Sequence, residues 1–422
     1  MKLARRTPAS IGGARRLAVD ATTLGQASAI LDDVRARGLA GALAHAERLG
    51  DVPPGAPVVY DRAALRAAHE ACSEADRGVL ARTAARVRRF AEAQRDALLP
   101  AVVDIAGGQA GHHLVPVESA GCYAPGGRFP LPSSVLMTAV TARVAGVERV
   151  VVASPRPAPI TLAAAHVAGA DQLWGIGGAQ AVGLLAYGSS GHATDLAPVD
   201  VIVGPGNRWV TAAKRLVAGD VGIDMLAGPS ELVVLADAHA DPAVVAADLL
   251  GQAEHDDDAL AVLVTTHEPL VAAVEAELGR QLDTLPTAAT ARVALSHSFA
   301  VVVGSIDEGL AVIEHLAPEH LELEVTDAAA LVERVRHAGA IFVGTHAAEV
   351  LGDYGAGPNH VLPTGTTARH AGGLSVLTFL RMRTWLRIDD PAAAREVVDD
   401  AVALARLEGL EAHARSAARR QR

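Results

Sequence analysis

The stretch ERVVVASPRPAPITLAAAHVAGADQLWGIGG, residues 148–178, decides the fold. A run of β-branched residues (ERVVVAS) passes into an alanine-rich segment with helical spacing (ITLAAAHVAGA). A second short apolar run (DQLWGIGG) then enters a glycine turn. Strands without polar alternation are buried on both faces, as in parallel sheets. Strand, helix and strand of these lengths make a βαβ unit. Outward from it the alternation continues. SVLMTAVTARVAGV precedes it as a helix; AQAVGLLAYGS (helix), DVIVGPGN (strand into turn) and RWVTAAKRLVAGD (helix) follow. A second series of strands runs through ELVVLAD, ALAVLVTT, SFAVVVG and GAIFVG. The fold class is α/β, with two Rossmann-like, incomplete parallel-sheet domains.

Both ends of the chain are helical in pattern. Residues from about 20 to 105 place apolar side chains three and four apart, and Ala and Arg favour helix throughout. The tail from 375 reads as a short segment and one long helix, started by Asp389-Asp390-Pro391 with Pro at the first helical position. At 422 residues, half of them apolar, there is core for two or three domains. The net charge of −11 argues against a nucleic-acid or anionic-membrane surface. The basic ends read as solvated termini. Two cysteines, Cys72 and Cys122, make no disulfide framework and suit a reducing cytoplasm. No apolar run near the start resembles a secretory signal, and the longest uncharged stretch is too broken by glycine to span a membrane.

Chemistry-bearing residues gather in a few places. In Gly251-Gln252-Ala253-Glu254-His255 the Gln and His are three apart and share a helix face. Such a pair is more often a solvated face than half of a metal site, and partners elsewhere in the chain must decide. In Ala317-Pro318-Glu319-His320 the proline suits a helix start, which puts Glu319 and His320 on a partly exposed first turn. They read as an acid–base pair or as a helix-dipole Glu beside a surface His. The span Gly352–Thr364, with Asp353 and His360, is too rich in Gly and Pro for a regular helix and reads as an ordered functional loop. Glu408 and His413 lie in the tail. Imidazole nitrogen with hard oxygen suits zinc or a similar divalent ion. The run Asp256-Asp257-Asp258 reads as a solvated helix end.

Two βα junctions carry glycine turns, Gly175-Ile176-Gly177-Gly178 and Gly204-Pro205-Gly206-Asn207. Such turns let a ligand approach the backbone at a helix N-terminus. Neither holds the full dinucleotide fingerprint, and the acids downstream, Asp195 and Asp200, both fall in a loop. Tyr123 in GCYAPGG is placed to stack on a ring or to anchor its loop. Cys122 beside it has nothing to activate its thiol.

Together these stretches resemble the histidinol dehydrogenase family. The resemblance rests on GCYAPGG, PSSVLM, GGAQAV, VGPGN, AGPSE, ADLLGQAEHD, APEHLEL, AGAIFVG, GDYGAGPNHVLPTG, GGLSV and EGLEAH, in that order from roughly residue 110 to the end. It implies one zinc per subunit held by Gln252, His255, Asp353 and His413, acid–base work by Glu319 and His320, and NAD contacts at Tyr123, Gln180 and Asn207. Ser230, His360 and Glu408 would contact substrate, as would the zinc ligands and the acid–base pair. The implied reaction is the four-electron oxidation of L-histidinol to L-histidine through the aldehyde. The implied assembly is a cytoplasmic homodimer in which each tail completes the other's site. Domains would follow as an arm at 1–20, a zinc and substrate domain at 21–122 plus 231–374, an NAD domain at 123–230, and a tail at 375–422. Three features depart from the family pattern: Leu131 where an aromatic usually precedes PSS, the helix MTAVTARVAG without the usual Asn and Pro, and the long loop GSSGHATDLAP. They leave open a paralogue acting on another small polar alcohol. A zinc hydrolase and a non-catalytic nucleotide-binding protein are the readings from other classes.

Overall fold

The computed structural model describes residues 1–11, 19–52, 57–126, 129–190 and 196–420. In chain order the strands are β1 (Ala4–Arg6), β2 (Val59–Asp61), β3 (Ala101–Ile105), β4 (Gly108–Pro116) and β5 (Ser119–Tyr123). Next come β6 (Arg149–Ala153), β7 (Gln172–Trp174), β8 (Val201–Val203), β9 (Gly222–Ile223) and β10 (Glu231–Ala236). The last five are β11 (Leu260–Thr265), β12 (Phe299–Val302), β13 (His320–Glu324), β14 (Ala340–Val343) and β15 (Leu380–Ile388).

They form two six-stranded sheets and a three-stranded ribbon. One sheet runs β2-β7-β6-β5-β8-β9, parallel except for edge strand β2. The other runs β1-β12-β11-β10-β13-β14 and is parallel throughout. The two-sheet α/β reading of the sequence therefore stands. Each sheet has a hydrophobic cluster on both faces, built from Val, Leu and Ala because aromatics are scarce. Each buried Val or Leu contributes about 1.5–3 kcal/mol.

Several boundaries differ from the sequence reading. The first residues are not merely a solvated arm: β1 pairs with β12, Leu3 is buried, and Glu275 accepts from Leu3 N and Lys2 Nζ. Helices Ala21–Arg37 and Leu39–Leu49 pack on the β5 sheet and not with residues 231–374. Helix Glu74–Asp96 likewise contributes Leu80, Ala84, Val87 and Ala91 to a cluster on that sheet. Their apolar faces match the nearest open sheet face, which a division by chain position does not reveal. Strand β5 lies at the centre of the same sheet, so residues 119–122 belong there too.

The tail also differs. LRMRTWLRI is a nine-residue strand, β15, paired antiparallel with β4. Asp390 caps a turn by accepting from Ala392 N and Ala393 N, and the helix starts only at Arg395. Gly409, at φ +76°, then splits the expected single helix into Arg395–Leu407 and Glu411–Ala418. A left-handed residue cannot continue a right-handed helix.

Candidate active site and metal centre

The residues singled out between 230 and 360 converge at the amino ends of β10 and β13. Glu319 and His320 do not sit on a helical turn. Ala317, at φ +43°, ends helix Ile306–Leu316, and the chain goes on as strand β13 with His320 as its first residue. Both side chains are buried. Helix Pro242–Ala253 runs back to this edge and delivers Gln252 near its end, with His255 just beyond. Asp353 lies in the short helix Glu349–Tyr354, not in the glycine loop, which begins at Gly355. His360 follows in that loop.

Glu319 Oε2 accepts from Ser230 Oγ at 2.7 Å and from Glu231 N at 3.0 Å. Ser230 Oγ also lies 3.3 Å from Gln252 Oε1. The Nδ1 of His320 lies 3.1 Å from the Glu231 carbonyl oxygen. A carbonyl only accepts, so Nδ1 carries the proton and Nε2 holds the lone pair of the neutral ring. That Nε2 is buried and has no hydrogen-bond partner; Asp353 Oδ1 is 3.9 Å away. Asp353 Oδ2 is 3.7 Å from His255 Nε2.

Burial dominates the electrostatics. It pushes the His320 pKa down to about 4, so the ring is neutral at neutral pH. It pushes Glu319 up to about 8, against the hydrogen bonds from Ser230 and Glu231 N. Glu349 is raised well above the usual carboxylate range by burial and by the Asp353 charge. For Asp353 itself, burial is outweighed by the hydrogen bond from His255 and the charges of His360 and His320, and its pKa is lowered. Partial burial disfavours the charged form of His255, but Asp353 outweighs it and raises the pKa.

The same edge can hold a cation. Donor atoms of His255, Glu349 and Asp353 lie within 4.8 Å of one another. Gln252 lies beside them, its Nε2 buried without a partner and its Oε1 held only by the long contact to Ser230 Oγ. One imidazole, one amide and carboxylate oxygen fit zinc chemistry. Glu349 escaped the sequence reading. Its signal was the spacing of four to Asp353, hidden because Gly352–Thr364 reads as loop from its first residue. His413 and Glu408 stay apart from this cluster: both are exposed on the tail. Glu254 is held by Thr287 and takes no part.

The glycine turns lie on the other sheet, at the carboxyl ends of β7 and β8. The strand order reverses beside β5, so the crevice between β5 and β8 is the switch point where open α/β sheets bind ligands. Tyr123 closes strand β5 and does not sit free on a loop. It is buried, its Oη accepts from Gly178 N at 3.1 Å, and burial pushes its pKa up to about 12. Gln180 is fully buried, with Nε2 donating to Asp51. Asn207 caps helix Arg208–Val217, its Oδ1 accepting from Trp209 N and Val210 N. Cys122 is buried in β5 with its thiol pushed up to about 12, which keeps it inert. Residues 191–195, including Asp195 and the middle of the long loop that departs from the family pattern, lie outside the described residues.

The two sheets meet here. Ser134 Oγ, at the start of the helix after β5, lies 3.4 Å from His360 Nε2, and Asn359 Nδ2 donates to Met137 O at 2.9 Å. The helix after β5 thus joins the sheet that carries the glycine turns to the loop of His360 beside the acid–base cluster, the arrangement of a two-domain α/β oxidoreductase.

Comparison with known proteins makes the assignment specific. The histidinol dehydrogenase family model matches residues 14–421. The histidinol dehydrogenase of Caulobacter vibrioides is 45% identical over 402 residues, covering 94% of this chain and 92% of that protein. That of Nocardia farcinica is 48% identical over 396 residues, covering 91% and 88%. The crystal structure of histidinol dehydrogenase from Elizabethkingia anophelis superposes with a TM-score of 0.91 at 28% identity, covering 99% of this chain and 98% of that one. The chain belongs to the histidinol dehydrogenase family.

Proposed function

We propose that this enzyme oxidises L-histidinol to L-histidine through L-histidinaldehyde, a closing stage of histidine biosynthesis, with one zinc per subunit and NAD+ as oxidant. The observation that carries the reading is the bare, buried Nε2 of His320, aimed at the space shared with Asp353 and beside Glu319.

Gln252, His255 and Asp353 would hold the zinc, with His413 from the tail of a second copy. When bound, zinc supplies a positive anchor for the imidazole and amine of histidinol. NAD+, bound along Tyr123, Gln180 and Asn207 at the β5–β8 crevice, supplies the hydride acceptor. The chain's own groups do the proton work. His320, neutral and with Nδ1–H fixed on Glu231 O, takes the alcohol proton at Nε2. Glu319, held by Ser230 and Glu231 N through one oxygen, keeps the other for the water that attacks the aldehyde carbon. His320 then serves again for the hydrate. Ser230, His360 and, from the second copy, Glu408 orient the substrate.

The exposed position of His413 and Glu408 supports a homodimer with exchanged tails. Among the described residues no helix is long and apolar enough to cross a membrane. Two free cysteines support a reducing cytoplasm as the working compartment. We divide the chain functionally by sheet: zinc and substrate on the β10 sheet, NAD on the β5 sheet.

The test is a substrate panel followed at 340 nm. Histidinol should yield two NADH per alcohol consumed, with activity lost on chelation and restored by zinc. One NADH per alcohol, or preference for another alcohol, would sink the reading in favour of a paralogue.

A further inference from the structure

The buried pair Lys214 and Asp224 lies outside everything assigned above. Lys214 stands on helix Arg208–Val217, two turns after the Asn207 cap, and Asp224 directly follows β9. Their side chains are 3% and 0% exposed, and Lys214 Nζ donates to Asp224 Oδ1. Both also grip one residue. Gly204 N donates to Asp224 Oδ2 at 2.7 Å, and Gly204 O accepts from Lys214 Nζ at 3.0 Å. Asp224 Oδ1 further accepts from Met225 N.

Gly204 opens the turn that leads through Pro205 and Gly206 to Asn207. It sits at φ +111°, and a Cβ there would come within 2.0 Å of Tyr123 O. The turn is therefore closed into a ring: helix to Lys214, Lys214 to Gly204, Gly204 through the turn to Asn207, and back into the helix. A buried ion pair is a poor way to gain stability, because two apolar residues of similar volume do as well or better. Apolar residues could not satisfy both the N–H and the C=O of Gly204.

We infer that Lys214 and Asp224 are positioning residues for the dinucleotide: by clasping both polar groups of Gly204 they hold the Gly204–Asn207 turn in the shape that receives the cofactor. This rests on the reading of the β5–β8 crevice as the NAD site. It predicts a defect confined to one substrate.

Three variants test it: Lys214→Met, the double Lys214→Met with Asp224→Leu, and the conservative Lys214→Arg. Each is assayed for KM of NAD+, KM of histidinol, zinc content and melting midpoint. Lys214→Met should raise the NAD+ KM by about tenfold or more while histidinol KM and zinc content stay within about twofold. The double variant leaves no lone buried charge, so its midpoint should return towards wild type while its NAD+ KM stays high. Lys214→Arg, which keeps the charge and the donor, should bring the NAD+ KM most of the way back. If the double variant recovers both midpoint and NAD+ KM, the pair is only packing and the inference falls. Should Lys214→Met not fold, the double variant decides alone; should neither fold, Lys214→Arg decides, a histidinol KM or zinc content moved more than the NAD+ KM overturning the inference. Asn207→Ala separates the two readings. If it raises the NAD+ KM and the Lys214 variants do not, only the clasp is wrong. If neither moves it, the crevice is not the NAD site.

Discussion

At the carboxyl ends of β5, β7 and β8 the chemistry is carried by backbone: glycine turns, a capped helix start, and a tyrosine and glutamine already tied down. At the amino ends of β10 and β13 it is carried by side chains that burial has pushed away from their usual ionisation. Only the first region follows the rule that ligands bind at the carboxyl ends of parallel strands. The contrast teaches what each edge is for. Turns fixed by their own hydrogen bonds suit a preformed ligand, whereas moving protons takes titratable groups held in a dry site.

The sharpest way to break this contrast is to blunt the acid–base edge alone. His320→Asn should lower turnover by about 10²–10⁴-fold, with zinc content and NAD+ affinity unchanged. Turnover near wild type would move the base elsewhere.

Next comes the tail. His413→Ala should weaken zinc binding by about tenfold to a hundredfold, measured by competition with a chelator. Mixing inactive His320→Asn chains with inactive His413→Ala chains should restore about a quarter of wild-type activity, because half of the random dimers carry one intact site. No recovery after subunit exchange would place His413 in its own chain's site.

Glu319→Gln should slow oxidation of the aldehyde by about 10²-fold and that of the alcohol much less, as single-turnover traces with each substrate would reveal. Equal slowing would remove Glu319 from water activation.

The same variant probes the buried charge directly. Unfolded, Glu319 titrates near 4.5; folded, near 8. Between those values the unfolded chain gives up a proton that the folded one keeps, so stability falls as pH rises from about 4.5 to about 8. Metal-free Glu319→Gln should therefore exceed wild type by roughly 2–4 kcal/mol at pH 8 and show no gain at pH 4.5 in urea titrations. A constant difference across that range would mean the carboxyl is not desolvated.

The smallest effect is expected on the quiet edge. Asn207→Ala removes a helix cap worth about 1 kcal/mol and should lower the melting midpoint slightly without touching metal content. A change in zinc binding would show that the two edges are not independent.

Both sheets were legible because buried parallel strands are written as uninterrupted Val and Leu runs. Gln252 and His255 were legible as a close pair, although the helix ends at Ala253 and His255 lies just beyond it. The setting of Glu319 and His320 was not. Pro318 reads as a helix start, and nothing in the sequence says that Ala317 turns left-handed to end a helix instead. Asp353 was read as loop because Gly352 obscured a short helix that begins at Glu349. Strand β15 was missed because Met382 and Leu386 lie on its exposed surface, where no alternation marks a core. Lys214 gave no signal: one cation on a short amphipathic helix reads as solvent-facing until the fold sets it against Asp224, ten residues further on.

The exposed tail sets a rule of dosage. If, as proposed, the site borrows His413 and Glu408 from a second copy, it is a function of subunit concentration as well as of metal concentration. While the dimer holds, each tail is tethered to its target at an effective concentration on the order of millimolar. On dilution below the dimer's dissociation constant, metal affinity and turnover should fall together, and added zinc alone cannot offset the loss. On that proposal, assembly would decide whether a buried base has anything to act on.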